Sequence, residues 1–547
     1  MMKKQLFKLW LLLCCCTAQA ADNPMIWADL PDPDIIRVDD TFYLVSTTMH
    51  MMPAVPIMKS KDLINWEIAG YVCETLDDSP RYSLLEGTVY GRGQWATSLK
   101  YHNGRFYVLF VPNEGGDMGR TYIYSAEKAE GPWTLVSRLP HFHDASLLFD
   151  DDGRVYVYYG TGEQVELTAD LQGVVPDSQR QIFQREADET GLLEGSRVVK
   201  HMGRYYLLMI SQVYAPGRHR REVCYRADNP AGPYEKHVIL EAPYGGFGYT
   251  GQGTIVDTQY GDWYGVIFQD RGAVGRVPLL MPCRWIDGWP MLGDEDGQIP
   301  IHMRPLISQP LNISTSPLDT QERSQSVAEK ERLNPTVNDD FSGSKLAPEW
   351  QWNHNPVNSA WSLSDRKGWL RLKTCRVVNN LYLAPNTLTQ RMMGPKCSAT
   401  VTLDASHLKN GDCAGFAAFN GHSGVLTVKR EKGKYFLEMS EQLVYLGRRV
   451  KEVEKVDETV VERVSLSSPV VHLRIDGDFH PRTDKAQLYY SLDGTEWKKI
   501  GSDYQMRFDW QRLFMGTRYA LFCYTTQRTG GYADFDAFNF QVIYDSE

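Results

Sequence analysis

One frame recurs five times in the first part of this chain: a variable head, a small residue, a Ser, Thr or Asp, a short strand, a turn, and a second strand carrying Tyr. The heads are Asp32 (PDPDIIRVDDTFY), Ala96 (ATSLKYHNGRFY), Asp144 (DASLLFDDDGRVY), Glu194 (EGSRVVKHMGRYY) and Gln252 (QGTIVDTQYGDWY). They lie 64, 48, 50 and 58 residues apart. A supersecondary unit repeated at that spacing predicts a five-bladed β-propeller over residues 21–308, one unit per blade. Equivalent positions of a propeller converge on its axis, so the three acidic heads are expected to meet in one pocket.

The rest of each unit is consistent with blades. Phe106 to Phe110 and Val155 to Tyr159 read as strands, and Asn103-Gly104, Asp152-Gly153 and Gly261-Asp262 read as hairpin turns. Residues 309–338 are rich in Ser, Pro, Gln and charge and read as a linker. From Asp339 onward the strands return without the frame, as in Ala399 to Leu403 and Val470 to Ile475, which predicts a β-sandwich over 339–547. The fold class is therefore all-β: a propeller followed by a sandwich.

Residues 1–20 read as an export signal, with Lys3, Lys4 and Lys8, an apolar run from Leu9 to Cys16, and Ala18-Gln19-Ala20 for cleavage. The expectation is an exported protein, periplasmic or extracellular, with cleavage favoured over a lipid anchor. No other stretch is apolar for long enough to cross a bilayer. Losing three lysines takes the formal charge from -10 to -13, which argues against a nucleic-acid partner and suits a neutral ligand. The seven cysteines beyond the leader are odd in number, widely spaced and free of CxxC pairs, so they read as small buried hydrophobes.

Around a crowded axis the second frame residue must be small: Pro33, Thr97, Ala145, Gly195 and Gly253. The third residue, Asp34, Ser98, Ser146, Ser196 or Thr254, is short and polar and can bond backbone where strands converge. Like charges held close are costly, so three clustered acids imply chemistry. Breaking a bond between two sugars needs an acid for the leaving oxygen and a second carboxylate to activate water or attack. A third acid tunes the first by repulsion. Asp150-Asp151-Asp152-Gly153 reads as a hairpin. His141 and His143 read as one strand face rather than metal ligands.

These residues resemble glycoside hydrolase family 43 over nearly the whole mature chain. Asn23-Pro24, Pro31-Asp32-Pro33-Asp34, Tyr43 and the Lys59 to Trp66 run are similar to that family's first blade; Asp144-Ala145-Ser146-Leu147 and Glu194-Gly195-Ser196 are similar to its second and third acidic motifs. The resemblance implies Asp32 as general base, Asp144 as pKa modulator and orienter, and Glu194 as general acid, acting with inversion. It also implies a sugar contact for Arg276, from the Gly275-Arg276 and Arg284 to Pro290 motifs, and a stacking platform at Trp95, beside a buried-core reading of that Trp. No cofactor is required for the chemistry.

Three positions depart from the family pattern. Gln252 stands where many members carry His, which argues against an axial calcium; it remains a candidate substrate contact. Ser196 replaces a frequent Pro. Met51-Met52-Pro53 stands where related xylosidases tend to have Trp-Phe-Pro, which places Met52 on a softer sugar-facing wall. That last departure turns the reading toward release of terminal α-L-arabinofuranose from plant polysaccharide side chains. The alternatives are a β-D-xylosidase on the same scaffold, a retaining fructan hydrolase and a non-catalytic glycan-binding protein. In the sandwich, Asp340 and Asp536 are candidate ligands for a structural calcium, and the Thr525 to Gly531 loop is expected to cover the propeller mouth.

Overall fold

Turn chemistry sets the blades. Asn103 and Gly104 both adopt left-handed backbone (φ 47° and 79°) and return His102 onto Arg105 in a two-residue hairpin. Met202 and Gly203 repeat the device between His201 and Arg204, which leaves Met202 on the surface. The computed structural model describes residues 21–113, 119–214, 217–303, 335–448 and 451–544. The leader and most of the expected linker lie outside the described residues.

Five four-stranded antiparallel sheets follow one another along the chain. Their inner strands are Asp34–Val38, Ser98–His102, Ser146–Phe149, Leu193–His201 and Gly253–Asp257. Each inner strand packs on the next, and the fifth packs back on the first, closing a five-bladed propeller. The short polar residues knit this ring. Asp34 Oδ2 accepts the Leu99 N–H (2.8 Å), Ser98 Oγ that of Leu147 (3.1 Å), and Ser146 Oγ that of Val198 (3.0 Å), so the third frame residue of each of the first three blades holds the next blade. The small second residues are equally constrained: a Cβ on Gly195 would strike the Gln252 side chain, and one on Gly253 would strike Val266 and Ile267.

The N-terminal segment seals the ring against blade 5. Ala21–Asp22 pairs with His302–Met303, and the Asn23 amide exchanges hydrogen bonds with the backbone of Leu280 (2.6 and 2.9 Å). Leu30 N–H reaches the Arg276 carbonyl (2.9 Å). This run delivers Asp32 to the side of Arg276.

The C-terminal unit is a sandwich of two sheets. One contains, in spatial order, Val453–Leu466, Lys434–Leu446, His422–Glu431, Asp412–Phe419, Arg518–Thr525, Leu388–Arg391 and Gln351–Asn353. Its eighth strand is Met51–Met52, contributed by blade 1. The other sheet is built on Leu370–Lys373, Tyr532–Ile543, Lys396–Asp404, Val470–Asp478 and Lys485–Ser491. A single apolar cluster runs from Ile57, Val72 and Phe110 of the propeller to Trp352, Leu388 and Phe416 of the sandwich. The two domains share one core.

Met52 is a correction. It is fully buried in that cluster and its backbone pairs with Trp352, so it forms no sugar-facing wall. The Thr525 to Gly531 loop is another. Its backbone bonds to Thr374 and Val378 at the far end of strand Arg518–Thr525, whereas Gly516 and Thr517 at the near end bond to Asp29 and Ala273 of the propeller. Eight residues of strand separate the two ends by about 23 Å.

The first and last segments of the sandwich do pair, Asp339 with Phe538, and burial and Asp340 together push the Asp536 carboxyl up. Asp340 Oδ1 already accepts from the Ser342 N–H and O–H. No third Asp, Glu, His or Cys joins these two acids among the described residues, and calcium takes six to eight oxygens, so the side chains alone do not make a calcium cage. Six of the seven described cysteines are buried; Cys375 is exposed. No helix among the described residues is long and apolar enough to cross a membrane.

Candidate active site

The three acidic heads stand immediately before or at the start of their inner strands. Asp32 and Asp144 have left-handed backbone (φ 54° and 47°), a conformation Asp tolerates better than most residues. Glu194 sits at a bulge, where the register shifts between Glu194 and Arg197. Arg197, fully buried, crosses to blade 1: its Nη2 donates to the Asp32 carbonyl (2.9 Å) and its Nε to that of Pro33 (3.4 Å). The blades that carry Glu194 and Asp32 are thereby braced together. The sequence signal for Arg197 is a charge inside an apolar inner strand.

Asp32 is nearly buried and both its oxygens are oriented. Oδ1 accepts from Arg276 Nη1 (3.0 Å) and Oδ2 from the Thr47 hydroxyl (2.6 Å). Arg276 is itself fixed from the sandwich. Its Nη2 donates to the Phe514 carbonyl (3.3 Å) and the Phe514 ring lies 4.3 Å from the guanidinium carbon. Nothing in the local sequence marks Phe514, because it arrives from the other domain.

Asp144 and Glu194 meet through a residue that sequence reasoning set aside. His143 Nε2 is 3.4 Å from Glu194 Oε2 and 3.9 Å from Asp144 Oδ2, and the three side chains place ligand atoms within 4.8 Å of one another. His143 occupies a turn before the strand Ser146–Phe149, not a strand face. The negative charge of Asp144, aided by Glu194 and Asp32, raises the His143 pKa to about 9 against the opposing effect of burial. Burial, then Glu194 and Asp32, push Asp144 up to about 6, while His143 and Arg197 pull it down. Asp32 stands outside the 4.8 Å cluster but acts on both titrations.

The remaining predicted residues surround these acids. Trp95 is partly buried, with its ring edge-on to His143 (5.9 Å) and the Arg92 guanidinium 5.3 Å from its centroid. Gln252, the fifth head, packs on Gly195 beside Glu194. Trp95 Nε1, Gln252 Nε2 and Arg276 Nε are buried donors with no acceptor among the described residues. Met52 alone of the predicted contacts is placed elsewhere.

The sequence profile named Glycosyl hydrolases family 43 matches residues 21–290, the propeller that carries these acids. The chain belongs to this family. A second profile, Beta xylosidase C-terminal Concanavalin A-like domain, matches residues 338–541 of this family 43 hydrolase. It is similar to a beta-xylosidase of Formosa agariphila, 28% identical over 95% of this chain and 90% of that one. It is likewise similar to a non-reducing end alpha-L-arabinofuranosidase of Bacteroides ovatus, 28% identical over 73% of each chain. Among solved structures, a bifunctional GH43-CE protein of Bacteroides eggerthii is 39% identical with a TM-score of 0.84. That alignment covers 96% of this chain but only 64% of the longer protein.

Proposed function

We propose that this family 43 hydrolase is an inverting exo-glycosidase that removes terminal β-D-xylose from plant-derived xylo-oligosaccharides. Asp32, aligned by Arg276 and Thr47, activates water; Glu194 protonates the departing oxygen; Asp144 orients and tunes Glu194. Each oriented Asp32 oxygen keeps a lone pair free for that water. The observation that carries the reading is the convergence of Asp32 with the Asp144–His143–Glu194 cluster on one axis. Asp32 lying outside that tight cluster favours a water between base and acid over direct attack.

Xylose is preferred over arabinofuranose on two grounds. The argument for arabinofuranose rested on a softened sugar wall at Met52, and Met52 is buried between the domains. The sandwich profile and the Formosa agariphila relative also carry the xylosidase name. Release of α-L-arabinofuranose remains the second reading, favoured by the Bacteroides ovatus relative. Export, read from the first 20 residues, is part of the proposal.

The test is a side-by-side assay of 4-nitrophenyl β-D-xyloside and 4-nitrophenyl α-L-arabinofuranoside, with the product anomer followed by NMR. Faster xyloside cleavage giving α-xylose first is the expected result. Retention of configuration removes the mechanism, and arabinofuranoside preference moves the activity to the second reading. Asp32→Asn and Glu194→Gln should each lower kcat by at least about a thousandfold while thermal melting is preserved.

A further inference from the structure

A guanidinium beside the site is left without an anion. Arg92 lies over Trp95, 5.3 Å from the ring centroid, and Trp95 meets His143 edge-on at 5.9 Å. His143 in turn faces Glu194 at 3.4 Å, so two rings separate Arg92 from that carboxyl. Arginines that hold this fold together are engaged with acceptors. Arg197 bonds the carbonyls of Asp32, Pro33 and Ser196, and Arg376 bonds those of Ser83 and Leu84. Arg92 has no such partner among the described residues. Its Nε is enclosed without an acceptor, and burial, with no acid to offset it, lowers its pKa.

The position is nonetheless built. Gly91 and Gly93 flank Arg92 in left-handed backbone (φ 63° and 88°). A Cβ on Gly91 would lie 2.4 Å from the Arg512 carbonyl oxygen of the sandwich, and one on Gly93 would lie 2.2 Å from that of Met49 in blade 1. The Arg92 N–H donates to the Val89 carbonyl (2.9 Å). The turn that carries Arg92 is therefore clamped between the two domains. Lys451 brings a second cation to the same seam. Its Nζ donates to the Gln511 carbonyl (2.7 Å), three residues before Phe514, whose ring lies on Arg276. Burial, then Arg92, lowers the Lys451 pKa, and Asp509 only partly opposes them. Asp509 is already paired with Arg512. Arg92, Lys451 and Arg512 thus face one carboxylate, an excess of two positive charges in a chain of formal charge -10.

We infer that Arg92 and Lys451 form a carboxylate-reading rim of the site, fitted to a uronic-acid substituent on the sugar chain being cleaved. The inference rests on the glycosidase reading. A guanidinium stacked on an indole uses its face and leaves its N–H edge for a planar, two-pronged acceptor. A uronate supplies that acceptor and a sugar hydroxyl does not. Lys451 adds a point charge beside it. Asp32, Asp144 and Glu194 repel an anion, so the carboxylate is taken at this seam and not among the acids.

The experiment compares kcat/KM for xylotetraose and for a xylotetraose carrying glucuronate on the sugar next to its non-reducing end. The readout is the ratio of the two within each variant, which cancels any loss of folded enzyme. Wild type should favour the acidic substrate about tenfold at low ionic strength, through KM, and less in about half-molar salt. Arg92→Gln should bring the ratio to about one or below, and Arg92→Lys should keep part of the preference. Lys451→Gln should reduce it to a lesser degree. A wild-type ratio of one or less, or a preference that Arg92→Gln leaves intact, would overturn the rim while the catalytic assignment stands. A wild type that cleaves neither tetraose overturns both readings.

Discussion

The Asp29 carboxylate accepts the N–H of Gly516 (2.9 Å) from the sandwich while its other oxygen accepts the N–H of Arg276 (2.7 Å) from blade 5. Both residues belong to the site: Arg276 orients Asp32, and Gly516 follows Phe514, which fixes Arg276. Gly275 and Gly516 lack side chains where a Cβ would strike Asp29. Arg391 Nε, fully buried, donates to the Asp29 carbonyl (3.0 Å). Asp29 is thus the pin that registers one domain against the other beside Asp32.

Asp29→Asn keeps the size but presents an amide to one of two N–H donors. Bonds to a charged acceptor are worth about 1.5–3 kcal/mol, so the variant should lose about 2 kcal/mol by denaturant titration. Because the loosened elements are Arg276 and Phe514, kcat should fall along with stability. A variant that melts earlier yet turns over normally at low temperature would show that Asp29 is only structural.

The sandwich reaches the site through Phe514, not through the Thr525 to Gly531 loop. Shortening that loop should leave the product profile of xylotriose unchanged, since its contacts are with Thr374 and Val378 at the distal end. Phe514→Ala removes the ring against Arg276 and should raise KM for short substrates several-fold. Chromatography of products from both variants separates the two segments.

His143 gives the site a distinct pH response. Below about pH 9 its positive charge lies between Glu194 and Asp144, and without it the burial and repulsion that raise Asp144 are opposed only by the more weakly acting Arg197. His143→Gln should therefore shift the acidic limb of the kcat/KM profile upward. The stability sign also follows. A histidine raised above 6.5 contributes stability that is complete below that value and lost as pH rises through about 9. Asp144, raised to about 6, favours the fold most below pH 3.8 and progressively less as pH climbs through 6. The melting-temperature advantage of wild type over His143→Gln should accordingly vanish between roughly pH 7 and 10.

The propeller and its acids were legible because the axis constrains three consecutive residues in every blade: Gly195 and Gly253 by contact, Asp34, Ser98 and Ser146 by the backbone they hold. What escaped was whatever depends on long-range approach. Phe514 and Gly516 carry no local pattern, and His143, spaced two from His141, looks like half of an alternating strand while occupying a turn. The Met51–Met52 pair misled for the same reason. Two residues are too few to announce a strand, and the sheet they extend belongs to the other domain.

Met52 offers the cleanest separation of packing from specificity. It is fully buried against Trp352 in the core the domains share. Truncating a buried Met leaves a cavity that surrounding side chains fill only partly, at about 2–5 kcal/mol. Met52→Ala should therefore lower the unfolding midpoint clearly, and Met52→Leu, which conserves volume, should cost less than about 1.5 kcal/mol. In both variants the ratio of xyloside to arabinofuranoside cleavage should stay at the wild-type value, because the side chain faces core rather than sugar. A change in that ratio without loss of stability would return Met52 to the substrate wall and, with it, the arabinofuranose reading.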